Sequence, residues 1–244
     1  MTATQAPSRP QCIETRARST TSTPTPSRGL STLLHAAGLL SFAATFLWLP
    51  HTTNPLHRGV GGPFQFLTVI ALSMATVTFA LGLAADITQR SRLVYTKTRL
   101  SALVATPLAL LVAMLYWSNR AAAAGLLIPR GHEVPFVPDL GLHVVPVVAL
   151  TTDLLWPGSA AAAYGMAAVR GRDALAHGTG LMFAYWVWLE YCFSHNGWYP
   201  YPGLEKMSKT DMFVACLASA CLMAGNAVGL KKLYMKISKG KLEV

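Results

Sequence analysis

A hydroxyl and an imidazole that meet in an apolar environment can transfer acyl groups. The imidazole takes the proton that an alcohol would otherwise keep near neutral pH, and the oxygen attacks a carbonyl. Thr68 and His143 are the candidates for such a pair, because each stands a few residues inside a long apolar stretch, where polar groups are expensive and mark function. Threonine is usable as a nucleophile, since its branched side chain has few rotamers to hold fixed. The ordinary alternative for a threonine in an apolar helix is a hydrogen bond to its own backbone. By the same criterion Asp153, Glu190 and His195 are possible supporting polar residues.

These side chains need elements that bring them together, and the apolar stretches are the only elements on offer. The 244 residues are 52% hydrophobic and 12% charged, with a mean hydropathy of +0.40, whereas a soluble domain is about a quarter charged. The apolar residues come in blocks long enough to cross a bilayer, at roughly 30–49, 64–85, 100–117, 140–156, 175–193 and 212–234. An alanine-rich stretch at 158–169 is too short to span. The expected fold is therefore all-α, a polytopic membrane bundle of about six transmembrane helices. Residues 1–28 are read as a disordered basic tail, 29–236 as the membrane domain and 237–244 as a basic C-terminal tail. All but five (Arg58, Arg120, Arg130, Lys206 and Lys209) of the 20 Lys and Arg fall in segments on one side of these spans, which puts both termini in the cytoplasm.

With that topology Thr68 lies about four residues into the second span and His143 about three into the fourth, both counted from the outer side. At 1.5 Å per residue each sits roughly 5 Å below the outer boundary, so the two can meet.

Three motifs, in order along the chain, extend this reading. They are Gly61-Gly62-Pro63-Phe64-Gln65-Phe66-Leu67-Thr68 with Ala85-Asp86 behind it, Gly141-Leu142-His143 with Pro146 and Asp153 behind it, and Trp198-Tyr199-Pro200-Tyr201-Pro202-Gly203-Leu204-Glu205. Together they resemble the androgen-induced and androgen-dependent TFPI-regulating family over most of the chain from the second span onward. The resemblance implies a six-helix membrane hydrolase of fatty acid esters of hydroxy fatty acids, with a threonine nucleophile and a histidine base. Carried over by motif, these roles fall on Thr68 and His143. It implies a lipid ester as substrate and membrane lipids as surroundings, in the endomembrane system or plasma membrane, with no cofactor and no metal.

The other polar residues are weighed on helical geometry. Asp153 is about 15 Å along a helix from His143 and cannot orient its ring directly. Glu190 or His195, near the outer end of the fifth span, could fix the tautomer of His143 as the third member of a triad does. Asp86 is expected to pair with Arg90 one turn on. Other function classes are a non-catalytic lipid-binding membrane protein and a haem-containing redox protein, with His35 and His177 toward the inner side and His143 and His195 toward the outer. A metal hydrolase built on His143, His195, Asp153 and Glu190 lacks any closely spaced ligand pair. Cys12, Cys192, Cys216 and Cys221 form no CxxC pair. The net charge of +10 suits topology and anionic lipid rather than nucleic acid, since no basic groove with interleaved aromatics appears.

Overall fold

The apolar blocks form helices in a computed structural model that describes residues 28–51, 58–122, 134–156 and 160–240. The expected tail at 1–28 falls outside these residues apart from Arg28. Helix α1 is Arg28–Trp48 and α2 is Leu67–Thr88. Between them, the chain reaches α2 through a short helical turn, Gly62–Gln65, set up by Gly61 and Gly62 at φ 88° and 49°. Only glycine adopts those angles without strain. A Cβ on Gly61 would also stand 2.8 Å from the Cys192 sulfur.

The third span is longer than its apolar block. Helix α3, Ser91–Leu100, passes through a wide π turn at Ser101–Ala105 into α4, Thr106–Ala122. The Thr106 amide reaches back to the Ser101 carbonyl, one residue further than in an α-helix. Pro107 accounts for the irregularity, because it brings no N–H and its ring crowds the preceding turn. The fourth span is two helices, α5 (Phe136–His143) and α6 (Val145–Leu155), broken at Val144 because Pro146 sits in the first turn of α6. Helix α5 starts at Phe136, before the expected boundary at 140.

Helix α7, Ala160–Ala167, is the short alanine-rich piece. Helices α8 (Gly171–Asn196) and α9 (Lys209–Gly240) complete the bundle. Helix α9 stays helical through Gly240, into the segment read from sequence as the C-terminal tail. Five helical segments among the described residues are long and apolar enough to cross a membrane: 29–51, 67–88, 91–121, 136–155 and 209–238. The remaining long helix, α8, has 26 residues and packs along α9. Its lower apolarity comes from Asp173, His177, Glu190 and His195. The α8–α9 approach is close, since a Cβ on Gly178 would stand 2.9 Å from the Ala220 carbonyl oxygen. Small residues at such crossings let membrane helices pack by backbone contact. The chain is thus an all-helical, multi-pass membrane protein.

The core runs down the middle in stacked clusters. Phe42, Leu72 and Phe79 join α1 to α2, and Leu108, Leu111 and Met223 join α4 to α9. All are buried.

Candidate active site

Helix α2 begins under a set of side chains that hold its first turn in place. The Leu67 amide donates to the Tyr201 hydroxyl (2.9 Å), Tyr185 donates to the Gln65 carbonyl (2.8 Å), and the Trp188 indole donates to the Phe64 carbonyl (3.0 Å). Asn196 accepts from the Val60 amide at 2.8 Å and donates to the Val60 carbonyl at 3.1 Å. Burial pushes the Tyr201 phenol above its usual pKa range, so it remains a neutral group able to accept from the helix start. Helix termini leave amides unsatisfied, and here Tyr201 of the Trp198–Glu205 motif supplies the partner for one of them.

Thr68, in that first turn, lies 3.3 Å from His143: Thr68 Oγ1 faces Nε2 of the imidazole. His143 is the last residue of α5 and only 6% exposed. Its other nitrogen, Nδ1, is 2.8 Å from Asp139 Oδ1, one helical turn earlier on the same helix. Tyr116 of α4 lies flat on the imidazole, with centroids 3.5 Å apart and planes at 5°. Arg120, one turn beyond Tyr116, donates to the Tyr116 hydroxyl at 3.0 Å and stands 3.6 Å from Asp139 Oδ2. The ring is therefore held at Nδ1 by Asp139 and on one face by Tyr116, and its Nε2 edge points at Thr68. Gly141 allows α5 to sit this close to α1, because a Cβ there would be 2.6 Å from Thr45 Oγ1.

Asp139 is the residue that sequence reasoning missed. It falls just outside the expected fourth span, which begins at 140, while the helix itself starts at Phe136 and carries Pro138 in its first turn. A proline in the first turn of a helix costs little, however, because the amide it lacks has no partner there anyway. The signal that could have found Asp139 is its i, i+4 spacing to His143, which puts both side chains on one helix face.

The expectation that Glu190 or His195 would orient His143 is corrected by their positions. Glu190 accepts from the Tyr199 hydroxyl at 2.8 Å and from Lys209, tying α8 to the start of α9. His195 folds back on its own turn, with Nδ1 2.9 Å from the Tyr191 carbonyl oxygen and its ring against Tyr191. None of these bonds reaches His143.

Asp153 belongs to a second buried polar cluster, at the opposite end of the helices. His35 is 1% exposed and stands between two carboxylates, with Nδ1 2.7 Å from Asp86 and Nε2 3.0 Å from Asp153. Lys97 donates to both oxygens of Asp153 at 2.8 Å, and Ser31 donates to Asp86 at 3.0 Å. The expected Asp86–Arg90 pair is not formed, because α2 ends at Thr88 and Gln89 turns to φ 57°, so Arg90 leaves the helix face. Asp86 is bound across helices instead. This cluster also bears on the haem alternative, since both nitrogens of His35 face carboxylates and His177 Nδ1 bonds the Asp173 carbonyl in its own turn.

Gly82 lets His35 fit. A Cβ at that position would stand 2.3 Å from His35 Nε2 and 2.6 Å from two ring carbons. The Gly82→Ala variant is expected to lose about 1–3 kcal/mol through overpacking, seen as a lower midpoint of thermal unfolding in detergent. An unchanged midpoint would mean that α1 and α2 separate freely at this level.

Known proteins give a consistent picture. Residues 30–235 match the model of the FAR-17a/AIG1-like protein family. A UPF0641 membrane protein of Schizosaccharomyces pombe is 30% identical over 196 residues, which cover 77% of this chain and 83% of the relative. No solved structure matches the chain.

Proposed function

The chain belongs to the FAR-17a/AIG1-like family, and from that premise we propose that it is a membrane hydrolase of lipid esters, with Thr68 as nucleophile and His143 as general base. The substrate class is the fatty acid ester of a hydroxy fatty acid, the class implied by the resemblance of its motifs. One observation carries the reading: an ordered line of Thr68 Oγ1, His143 and Asp139, at 3.3 and 2.8 Å, buried among helices.

The chemistry follows from that line. An ionised Asp139 accepts the Nδ1 proton of His143, which leaves the lone pair on Nε2 facing the threonine hydroxyl. As Thr68 Oγ1 bonds to the ester carbonyl carbon, its proton passes to Nε2, and Asp139 stabilises the imidazolium. Collapse of the tetrahedral intermediate breaks the carbon–oxygen bond to the hydroxy acid, which leaves with the proton from Nε2. Water then attacks the acyl-threonine, giving its proton to His143, and release of the fatty acid returns that proton to Thr68. The Thr68 amide supports the intermediate: no described group accepts its hydrogen, and as a first-turn amide it can point at the developing oxyanion.

Asp139 acts through His143 and is a positioning residue. Asp139→Asn keeps the shape but presents the wrong hydrogen-bonding pattern to Nδ1. Hydrolysis of a hydroxy fatty acid ester by membranes carrying this variant is expected to fall about 10⁴-fold in kcat with KM little changed, in line with losses on disturbing a supporting carboxylate. The pH–rate profile should shift as well. Wild-type kcat and an unshifted profile would remove Asp139 from the mechanism. Membranes expressing the wild-type chain must hydrolyse the ester faster than membranes without it, or the hydrolase reading fails altogether.

A further inference from the structure

At the end of the bundle remote from Thr68, a cavity of about 610 Å³ opens between the start of α8 and the last turns of α9. Arg170, Lys231, Lys232 and Lys236 line it, and no acidic residue does. Val228, Lys231, Lys232, Met235 and Lys236 are spaced i, i+3, i+4, i+7 and i+8, so they present one continuous face of α9. Lys231 is used structurally, donating to the Ala167 carbonyl at 3.0 Å and to the Val169 carbonyl. Among the described residues no carboxylate pairs with Arg170, Lys232 or Lys236. The first-turn amides of α8 begin at Gly171, on the cavity wall, and add positive potential.

We propose that this cavity binds the head group of an anionic phospholipid carrying a phosphomonoester. The position fits a lipid: Lys232 lies 23 residues beyond Lys209, so at 1.5 Å per residue the cavity sits about 35 Å from the other end of α9, the span between the two head-group layers. The charge fits a phosphomonoester, because several uncompensated cations around one space match an anion of more than one charge better than a phosphodiester. The lining fits an amphiphile, because Val169, Val228 and Met235 give the cavity an apolar wall along which an acyl chain can leave. A free phosphate would leave that wall unused.

The test uses the purified full chain in a neutral maltoside detergent, titrated with dioctanoyl phosphatidic acid, dioctanoyl phosphatidylcholine or inorganic phosphate, with binding read by thermophoresis. Phosphatidic acid should bind at least tenfold more tightly than phosphatidylcholine. The Lys232→Gln/Lys236→Gln variant should lose that preference, while the Lys232→Arg/Lys236→Arg variant and Lys206→Gln, at the opposite end, should keep it. Equal binding of the two lipids would overturn the proposal, as would an equal loss in Lys206→Gln, which would mark general charge attraction. Binding of inorganic phosphate as tight as that of phosphatidic acid would overturn the lipid assignment.

Discussion

Thr68→Ala and His143→Ala are each expected to lower ester hydrolysis in matched membrane fractions by three orders of magnitude or more, on the order of the losses seen when a nucleophile or its base is removed. The two residues act as a unit, so the double variant should be no worse than either single one. Among the described residues the Thr68 hydroxyl has one hydrogen-bonding partner, His143 Nε2 at 3.3 Å, and replacing the side chain by alanine removes few atoms. Thr68→Ala should therefore fold and express like the wild type, which separates loss of chemistry from loss of protein. His143 is different, because its ring is stacked on Tyr116 and bonded to Asp139. For that position His143→Gln is the better companion, keeping a polar group of similar size without a basic nitrogen. Additive losses in the double variant, or full activity in any of these proteins, would break the dyad.

Asp153→Ala is expected to be the most damaging change outside the site. Asp153 bridges His35 of α1 and Lys97 of α3 from α6, and its side chain is 6% exposed. Both ring nitrogens of His35 face carboxylates, so a doubly protonated imidazole balances the cluster: two acids, Asp86 and Asp153, against His35 and Lys97. Removing Asp153 leaves two cations facing one acid inside the bundle. Breaking a buried pair in this way costs about 3–5 kcal/mol, which for a chain of this size lowers the midpoint of thermal unfolding by on the order of 10 °C. Removing the Lys97–Asp153 pair together, as Lys97→Met/Asp153→Leu, restores neutrality and should recover most of the loss. A single variant as stable as wild type would show that water, not protein, balances these charges.

How much of this could be read from the sequence depends on the distance over which each feature is encoded. The spans were legible because apolar length is local, and α1, α2 and α9 form where the blocks lie. The meeting of Thr68 and His143 was legible too, since counting residues from a common boundary gives matched depth without knowing which helices touch. Asp139 lies one residue before the apolar block at 140–156, and the helix starts earlier, at Phe136, because a proline in the first turn does not stop it. The partners of Asp86 and Asp153 were lost for a different reason. Asp86 has a basic residue at i+4, a sound local signal that the turn at Gln89 cancels, and its true partners stand 51 and 55 residues away. Tertiary pairing of this kind has no periodicity in the sequence to reveal it. Glu190 and His195 were matched to His143 by depth, which carries no information about rotation, and they bond Tyr191, Tyr199 and Lys209 instead.

The most direct measurement is the site of covalent capture. Membranes containing the active protein are treated with a fluorophosphonate probe, which bonds to an activated hydroxyl oxygen, and the modified residue is identified by peptide mass spectrometry. The adduct is expected on Thr68, absent after His143→Gln and absent when excess ester substrate is present. An adduct on another residue, or undiminished labelling of Thr68 without His143, would contradict a hydroxyl activated by the imidazole beside it.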